Sequence, residues 1–250
     1  MIFIIGLIAG SVANAIIYRL PRDVSWYKGR SFCPECKHSL NIYRLPRDVS
    51  WYKGRSFCPE CKHSLNLYDL VPIASYLLLG GKCRYCQSPI PIRYLLVELF
   101  LGAAFAVSYL SNLGFLSYFM IWITTVIAVM DWETMLVSDW LVAIWTVIVI
   151  VSGEVGILGG LLGFALIGGI WLVTKKRAMG AGDIGIAVVL GLWLGYPKII
   201  NALWLAFVIG GIYGAYLLLS KKAKLKTAVP FGPFLILGGW IAYTLNYGFF

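Results

Sequence analysis

Charge is the scarcest property of this chain. Only 13% of its 250 residues are charged, against roughly 25% in a soluble globular domain. Hydrophobic residues make up 60%, and mean hydropathy is +0.82. So little polar surface cannot cover a water-soluble body, which excludes a soluble globular enzyme and makes lipid the solvent. Acidic residues are fewer still, 11 against 21 Lys and Arg, and there are two histidines. A basic stretch ahead of the first apolar run is also missing, because Arg19, Arg22 and Lys28 follow that run. This order argues against a cleavable signal peptide and for a first transmembrane helix ending in the cytoplasm.

Long apolar runs are abundant. A span needs roughly 20 apolar residues, so an all-α integral membrane protein of about eight transmembrane helices is expected. The runs place helices at 2–20, 94–110, 115–130, 136–151, 155–173, 184–194, 199–219 and 231–249, the sixth short or starting inside the membrane. The chain then divides into a first helix (1–21), a Cys-rich loop (22–93) and a membrane core (94–250).

Residues 17–41 recur letter for letter as 42–66. Repeat architectures drift and continue, whereas this copy does neither, so it marks a recent duplication or an assembly artefact and not a solenoid. The second copy adds +3 of the formal net charge of +10.

Positive charge orients the chain. In an eight-helix threading, 20 of the 21 Lys and Arg fall in the connections of one face, and Lys198 alone lies on the other. That face is expected to be cytoplasmic, with the Cys-rich loop in the cytosol and both termini outside. This topological cause accounts for the basic loop, so no nucleic-acid partner is expected.

Acidic residues near a membrane are functional candidates by default. Here they are Glu98, Asp131, Glu133, Asp139 and Asp183, with Glu154 in an outer connection. Asp131 ends the third helix and Asp183 begins the sixth, at one membrane depth. Two close carboxylates cannot both ionise cheaply, so they share a proton. The ionised one can take a proton from water while its protonated neighbour polarises an amide carbonyl, which is peptide hydrolysis without a covalent intermediate. Asp183 lies in Gly180-Ala181-Gly182-Asp183, where glycine admits close approach of backbone or substrate. The structural alternative is that Asp183 only caps a helix and Asp131 is a helix-end charge.

The six cysteines form three Cys-x-x-Cys pairs, Cys33/Cys36, Cys58/Cys61 and Cys83/Cys86. In a reducing cytosol such pairs ligate metal more readily than they form disulfides. The 21 residues between the second and third pairs approach the spacing of a four-thiolate zinc site. Cys58, Cys61, Cys83 and Cys86 are the expected ligands of a structural Zn²⁺, with Cys33 and Cys36 as alternates. Four thiolates suffice, so His38 and His63 are read as solvated loop residues.

These motifs, taken in order, resemble the type IV prepilin peptidases. Those are bifunctional leader peptidases and N-methyltransferases of the GxGD aspartyl protease class. The resemblance runs through Gly10-Ser11-Val12-Ala13-Asn14, Arg19-Leu20-Pro21, the Cys pairs, Asp69-Leu70-Val71-Pro72, Arg93-Tyr94 with Glu98, Asp131 with Asp139, Gly180–Asp183 and Val229–Phe234. Gly185 and Ser138 depart from the family's usual Lys and Pro. The resemblance implies catalytic Asp131 and Asp183, with Gly180, Gly182, Asp139 and Glu98 in support. It also implies an inner-membrane enzyme, active at the cytoplasmic face, that cleaves prepilins or pseudopilins after Gly. The new N-terminus would then be methylated with S-adenosylmethionine, with the loop and Glu98 as the region expected to serve that step. No Gly-rich cofactor fingerprint is present, so the residues binding that cofactor are unknown. The rival readings are a peptidase without the methyltransferase and a zinc-bearing membrane transporter or scaffold.

Overall fold

A computed structural model describes residues 1–23, 58, 61, 63–153, 155–175, 179–221 and 228–245. The alternate ligands Cys33 and Cys36, His38, Glu154 and most of the duplicated segment lie outside the described residues. Among the described residues the chain is helical, with one isolated antiparallel bridge between Lys82 and Pro89. The helices are α1 (Ile2–Asp23), α2 (Ala74–Leu78), α3 (Arg93–Leu110), α4 (Leu116–Thr134), α5 (Asp139–Val151), α6 (Ile157–Val173), α7 (Ala181–Leu194), α8 (Lys198–Leu219) and α9 (Gly232–Thr244); a 3₁₀ turn covers Leu67–Leu70.

Every apolar run of the sequence has become a helix, yet full spanning length is reached by four: α1, α3, α4 and α8. Helix α7, with 14 residues, is about 21 Å long at 1.5 Å per residue, short of a hydrocarbon core about 30 Å thick. The sixth run was expected to start at Ile184, and the helix starts three residues earlier. Gly180 is extended (φ −76°, ψ 154°) and serves as N-cap, and the Asp183 carboxylate, three residues on, accepts the Gly180 N–H at 3.1 Å. The acid closes the first turn and does not precede it.

The chain forms two compact units, Met1–Asn112 and Leu113–Phe250. In the first, α1 and α3 pack antiparallel through small residues. A Cβ on Gly6 would stand 2.6 Å from the Leu101 carbonyl oxygen, and one on Gly10 would stand 2.6 Å from the Glu98 Cα. In lipid such backbone contact replaces the hydrophobic drive that would hold helices together in water. Phe3, Ile4, Ile8, Leu96 and Phe100 face outward on the same helices.

In the second unit α7 is central, touching α5, α6, α8 and α9. Its seam with α6 sets Gly191 on the Gly159 carbonyl and Ala187 on Gly163, backbone against backbone. Gly191→Leu is therefore expected to part the two helices. At about 3 kcal/mol of overpacking, it should lower the thermal midpoint in detergent and the yield of folded protein.

Candidate active site and metal centre

Asp131 and Asp183 are both buried, at 4% and 6% exposure. Asp131 lies in the last turn of α4, which stops because Met135 turns left-handed (φ 53°) and returns its N–H to the Asp131 carbonyl. The Asp131 Oδ2 accepts the backbone N–H of Gly232, the first residue of α9, at 3.0 Å. Asp183 Oδ2 is held the same way by Gly180. Each acid thus has one oxygen fixed by a glycine N–H, leaving its Oδ1 without a hydrogen bond among the described residues. The two carboxylates lie within electrostatic reach of each other.

Packing fixes this arrangement at two glycines. A Cβ on Gly232 would stand 2.7 Å from Asp131 Oδ2 and 3.0 Å from Ile186 Cδ1, so α9 enters between α4 and α7. A Cβ on Gly182 would stand 2.7 Å from the Val137 Cβ, in the connection from α4 to α5. Gly180 meets nothing closer than 3.6 Å. Of the two motif glycines, only Gly182 is sterically required. Gly182→Ala should push the first turn of α7 away from Val137 and lower activity about 10²-fold, with Gly180→Ala much milder in the same turnover assay.

The two departures noted in the sequence fit this frame. A Cβ at Gly185 would meet only Val142, at ordinary contact distance, and Ser138 has φ −81°, close to the range proline enforces. Asp139 is the exposed first residue of α5, where negative charge suits the helix dipole. Glu133 is exposed too. Beside Asp131, the rings of Trp132, Tyr213 and Phe234 form an aromatic wall with centroids 5.3–6.1 Å apart. The sequence reading did not find Gly232 as a partner of Asp131. The Val229–Phe234 motif marked the segment without a role, because a backbone donor leaves no trace in residue identity.

Glu98 lies in the other unit, on α3, 8% exposed, and accepts the Ile73 N–H at 2.9 Å.

The sulfurs of Cys58, Cys61, Cys83 and Cys86 lie within 4.8 Å of one another. A tetrahedral zinc at about 2.3 Å from each sulfur sets sulfur–sulfur separations near 3.8 Å, and Cys58 Sγ is 3.8 Å from Cys86 Sγ. The cluster can hold a metal ion. The Ser88 hydroxyl and N–H hold the Cys86 thiol down at about 6, so it is a thiolate near neutral pH. A backbone hydrogen bond at His63 pulls Cys61 down, but desolvation and the adjacent thiols outweigh it and push the group up to about 11. Metal binding must therefore displace protons. Its affinity, measured by competition with a chelating dye, should fall as pH drops from about 11, where Cys61 gains its proton, and more steeply below about 6, where Cys86 gains one too.

Asp69 ties the two cysteine knuckles together. Its carboxylate accepts from Arg84 Nε at 2.8 Å, from the Tyr85 hydroxyl at 3.2 Å and from the Asn66 N–H at 3.1 Å. Arg84 and Tyr85 lie between Cys83 and Cys86, and Asn66 follows Cys61. Burial pushes the Asp69 carboxyl up, but the Arg84 guanidinium and the other donors prevail and hold it below its usual range. Its contribution is thus present above the ordinary carboxylate pKa and lost as pH falls through the lower folded value. Asp69→Asn is expected to weaken metal binding about 10- to 100-fold.

The comparisons with known proteins follow the two units. The Bacterial Peptidase A24 N-terminal domain matches residues 4–44 and 39–112, two stretches that overlap inside the duplicated segment. The Type IV leader peptidase family matches residues 118–215. Three proteins called prepilin leader peptidase/N-methyltransferase align over nearly the whole chain. The one from Aeromonas hydrophila is 31% identical, covering 97% of this chain and 89% of its own. That from Neisseria gonorrhoeae is 31% identical with the same coverage. That from Pseudomonas aeruginosa is 29% identical, over 96% of this chain and 87% of its own. No solved structure matches the chain. With both domain models in order and 31% identity over 97% of its length, the chain belongs to the type IV leader peptidase family.

Proposed function

We propose that this protein removes the leader from prepilins or pseudopilins, with Asp131 and Asp183 as the catalytic pair, and then methylates the new N-terminus. The observation that carries the reading is the pair itself: two buried acids on separate helices, each anchored through one oxygen and in electrostatic reach of the other. One carboxyl holds a proton and the other is ionised, a state that belongs to the pair and not to either residue. The ionised member takes a proton from water as that oxygen bonds to the scissile carbonyl carbon. The protonated member donates to the carbonyl oxygen. Collapse of the tetrahedral intermediate returns a proton to the departing amine.

In this reading all eight long helices lie in the bacterial inner membrane, the shorter ones as partial spans. The dyad faces the cytoplasm, in keeping with the positive charge of that face. The metal at the four cysteines is Zn²⁺, which needs no redox chemistry and braces the loop. The methyl donor implied by the family is S-adenosylmethionine. The described residues form no strand-to-helix glycine turn of the kind that cradles nucleoside cofactors.

The test is a purified chain in lipid vesicles mixed with a prepilin, read by mass spectrometry of the mature N-terminus. Leader loss followed by one added methyl group is expected. Leader loss without methylation would leave a peptidase alone, and intact prepilin would favour a transporter or scaffold.

A further inference from the structure

Between α1 and α3 lies a polar cluster that neither the acid pair nor the metal centre uses. Ser11 and Asn14 stand one turn apart on α1, and Tyr94 and Glu98 one turn apart on α3. Gly10 lets the helices touch beside Glu98. Asn14 is 2% exposed and Glu98 8%. The Glu98 carboxylate accepts the Ile73 N–H and a hydrogen bond from Ser11. Ile73, a β-branched residue, holds φ +60° to deliver that N–H, a backbone state such residues rarely adopt. Asn14 Nδ2 donates to the Tyr94 carbonyl at 3.0 Å. That carbonyl only accepts, so the amide must show it nitrogen and turn its oxygen away. The oxygen, Asn14 Oδ1, is buried and has no hydrogen-bond partner among the described residues.

The acceptors of Asn14 and Glu98 outnumber the donors given to them, and the neighbouring cation, Arg93, has its guanidinium over the Tyr94 ring, 4.5 Å from the centroid. Asn14 Oδ1 can accept two hydrogen bonds and the Glu98 carboxylate about four, of which two to Glu98 are made. A phosphate or carboxylate would set acceptors against acceptors. A primary ammonium brings three donors, one positive charge and no acceptor.

We propose that Glu98 and Asn14, with Ser11, form a site for a primary ammonium, and that its occupant is the free α-amine of the processed substrate. This rests on the methyl-transfer part of the proposed function. An enzyme that modifies an amine created by its own first reaction must hold that amine and take one proton from its ammonium form. Only the neutral amine has a lone pair to accept a methyl group, and the Glu98 carboxylate is the group placed to accept that proton. Ile73 is a positioning residue here, acting through Glu98.

The test uses the full chain in phosphatidylcholine nanodiscs, whose lipid carries no primary amine. The probes are a lysine-free peptide with the mature substrate's apolar N-terminus and its N-acetylated twin. The free amine is expected to bind about tenfold tighter or more, a preference fading as pH rises past the α-amine's pKa near 8. Glu98→Gln and Asn14→Leu should each erase the preference, with melting temperature checked in the same nanodiscs. Equal binding of the two peptides to the unmodified chain overturns the proposal whether or not the variants fold. A preference that survives in both folded variants overturns it too, and leaves the cluster a structural knot. If phosphatidylethanolamine nanodiscs abolish the preference, the ammonium held is a lipid headgroup and the assignment to the peptide fails. Because the peptide is supplied already cut, failure of leader cleavage sinks the peptidase reading without deciding this one.

Discussion

Asp131→Asn and Asp183→Asn are each expected to lower prepilin cleavage by about 10³-fold or more, and the double variant by little beyond either alone. The magnitude follows from losing general acid–base catalysis, worth about 10²–10⁴-fold, in a proposed pair that shares one proton. The non-additivity is the sharper expectation, because residues that act as a unit cannot be removed twice. Asparagine preserves shape and can still accept the N–H of Gly232 or Gly180 through its side-chain oxygen. The variants should therefore fold and keep their thermal midpoint within a few degrees. Cleavage is read on reconstituted protein under single-turnover conditions. Two independent effects that multiply would mean separate roles, and retained processing in both single variants would mean a transporter or scaffold.

Stripping the metal, or replacing Cys83 by Ser, should unfold the segment around the four cysteines while leaving the long helices in place. Between Cys58 and Ile92 the only buried hydrophobic residues described are Cys58 and Cys83 themselves. With no other buried apolar side chain among the described residues, the segment is expected to depend on the ion, since structural zinc supplies about 10–16 kcal/mol of folding energy in comparable sites. The Asp69 bridge to Arg84 cannot replace that, since one partner is 47% exposed and such pairs contribute about 1 kcal/mol or less. The measurements are about one zinc per chain by metal analysis, lost in Cys83→Ser, and protease sensitivity within residues 58–90 after chelation. Unchanged metal content in Cys83→Ser would show that the ligand set is wrong.

The apolar runs made the helices legible, because each run must satisfy its backbone internally in lipid. The spacing of Cys58/Cys61 and Cys83/Cys86 made the metal centre legible, because two short knuckles can meet through a flexible connection of that length. The start of α7 was not legible. Asp183 sits inside its first turn because Gly180 caps the helix, and a glycine cap carries no side-chain signal. The start of α5 was placed too early in the run 136–151, because Ser138 is extended and caps a helix that begins at Asp139. The Gly159–Gly191 contact and the Gly232 donor are backbone facts between distant segments. In the sequence they are glycines among 27.

One measurement bears most directly on the claim that Asp131 and Asp183 act together on a scissile amide. It is the affinity of a prepilin peptide whose scissile amide is replaced by a hydroxyl-bearing tetrahedral isostere, which mimics the intermediate between the two carboxyls. Transition-state mimics bind about 10²-fold tighter than substrates or better. At least that advantage over the amide parent is expected in the unmodified chain, with its loss in both Asp131→Asn and Asp183→Asn. Equal affinity for isostere and parent, or an advantage that survives in either variant, would contradict it.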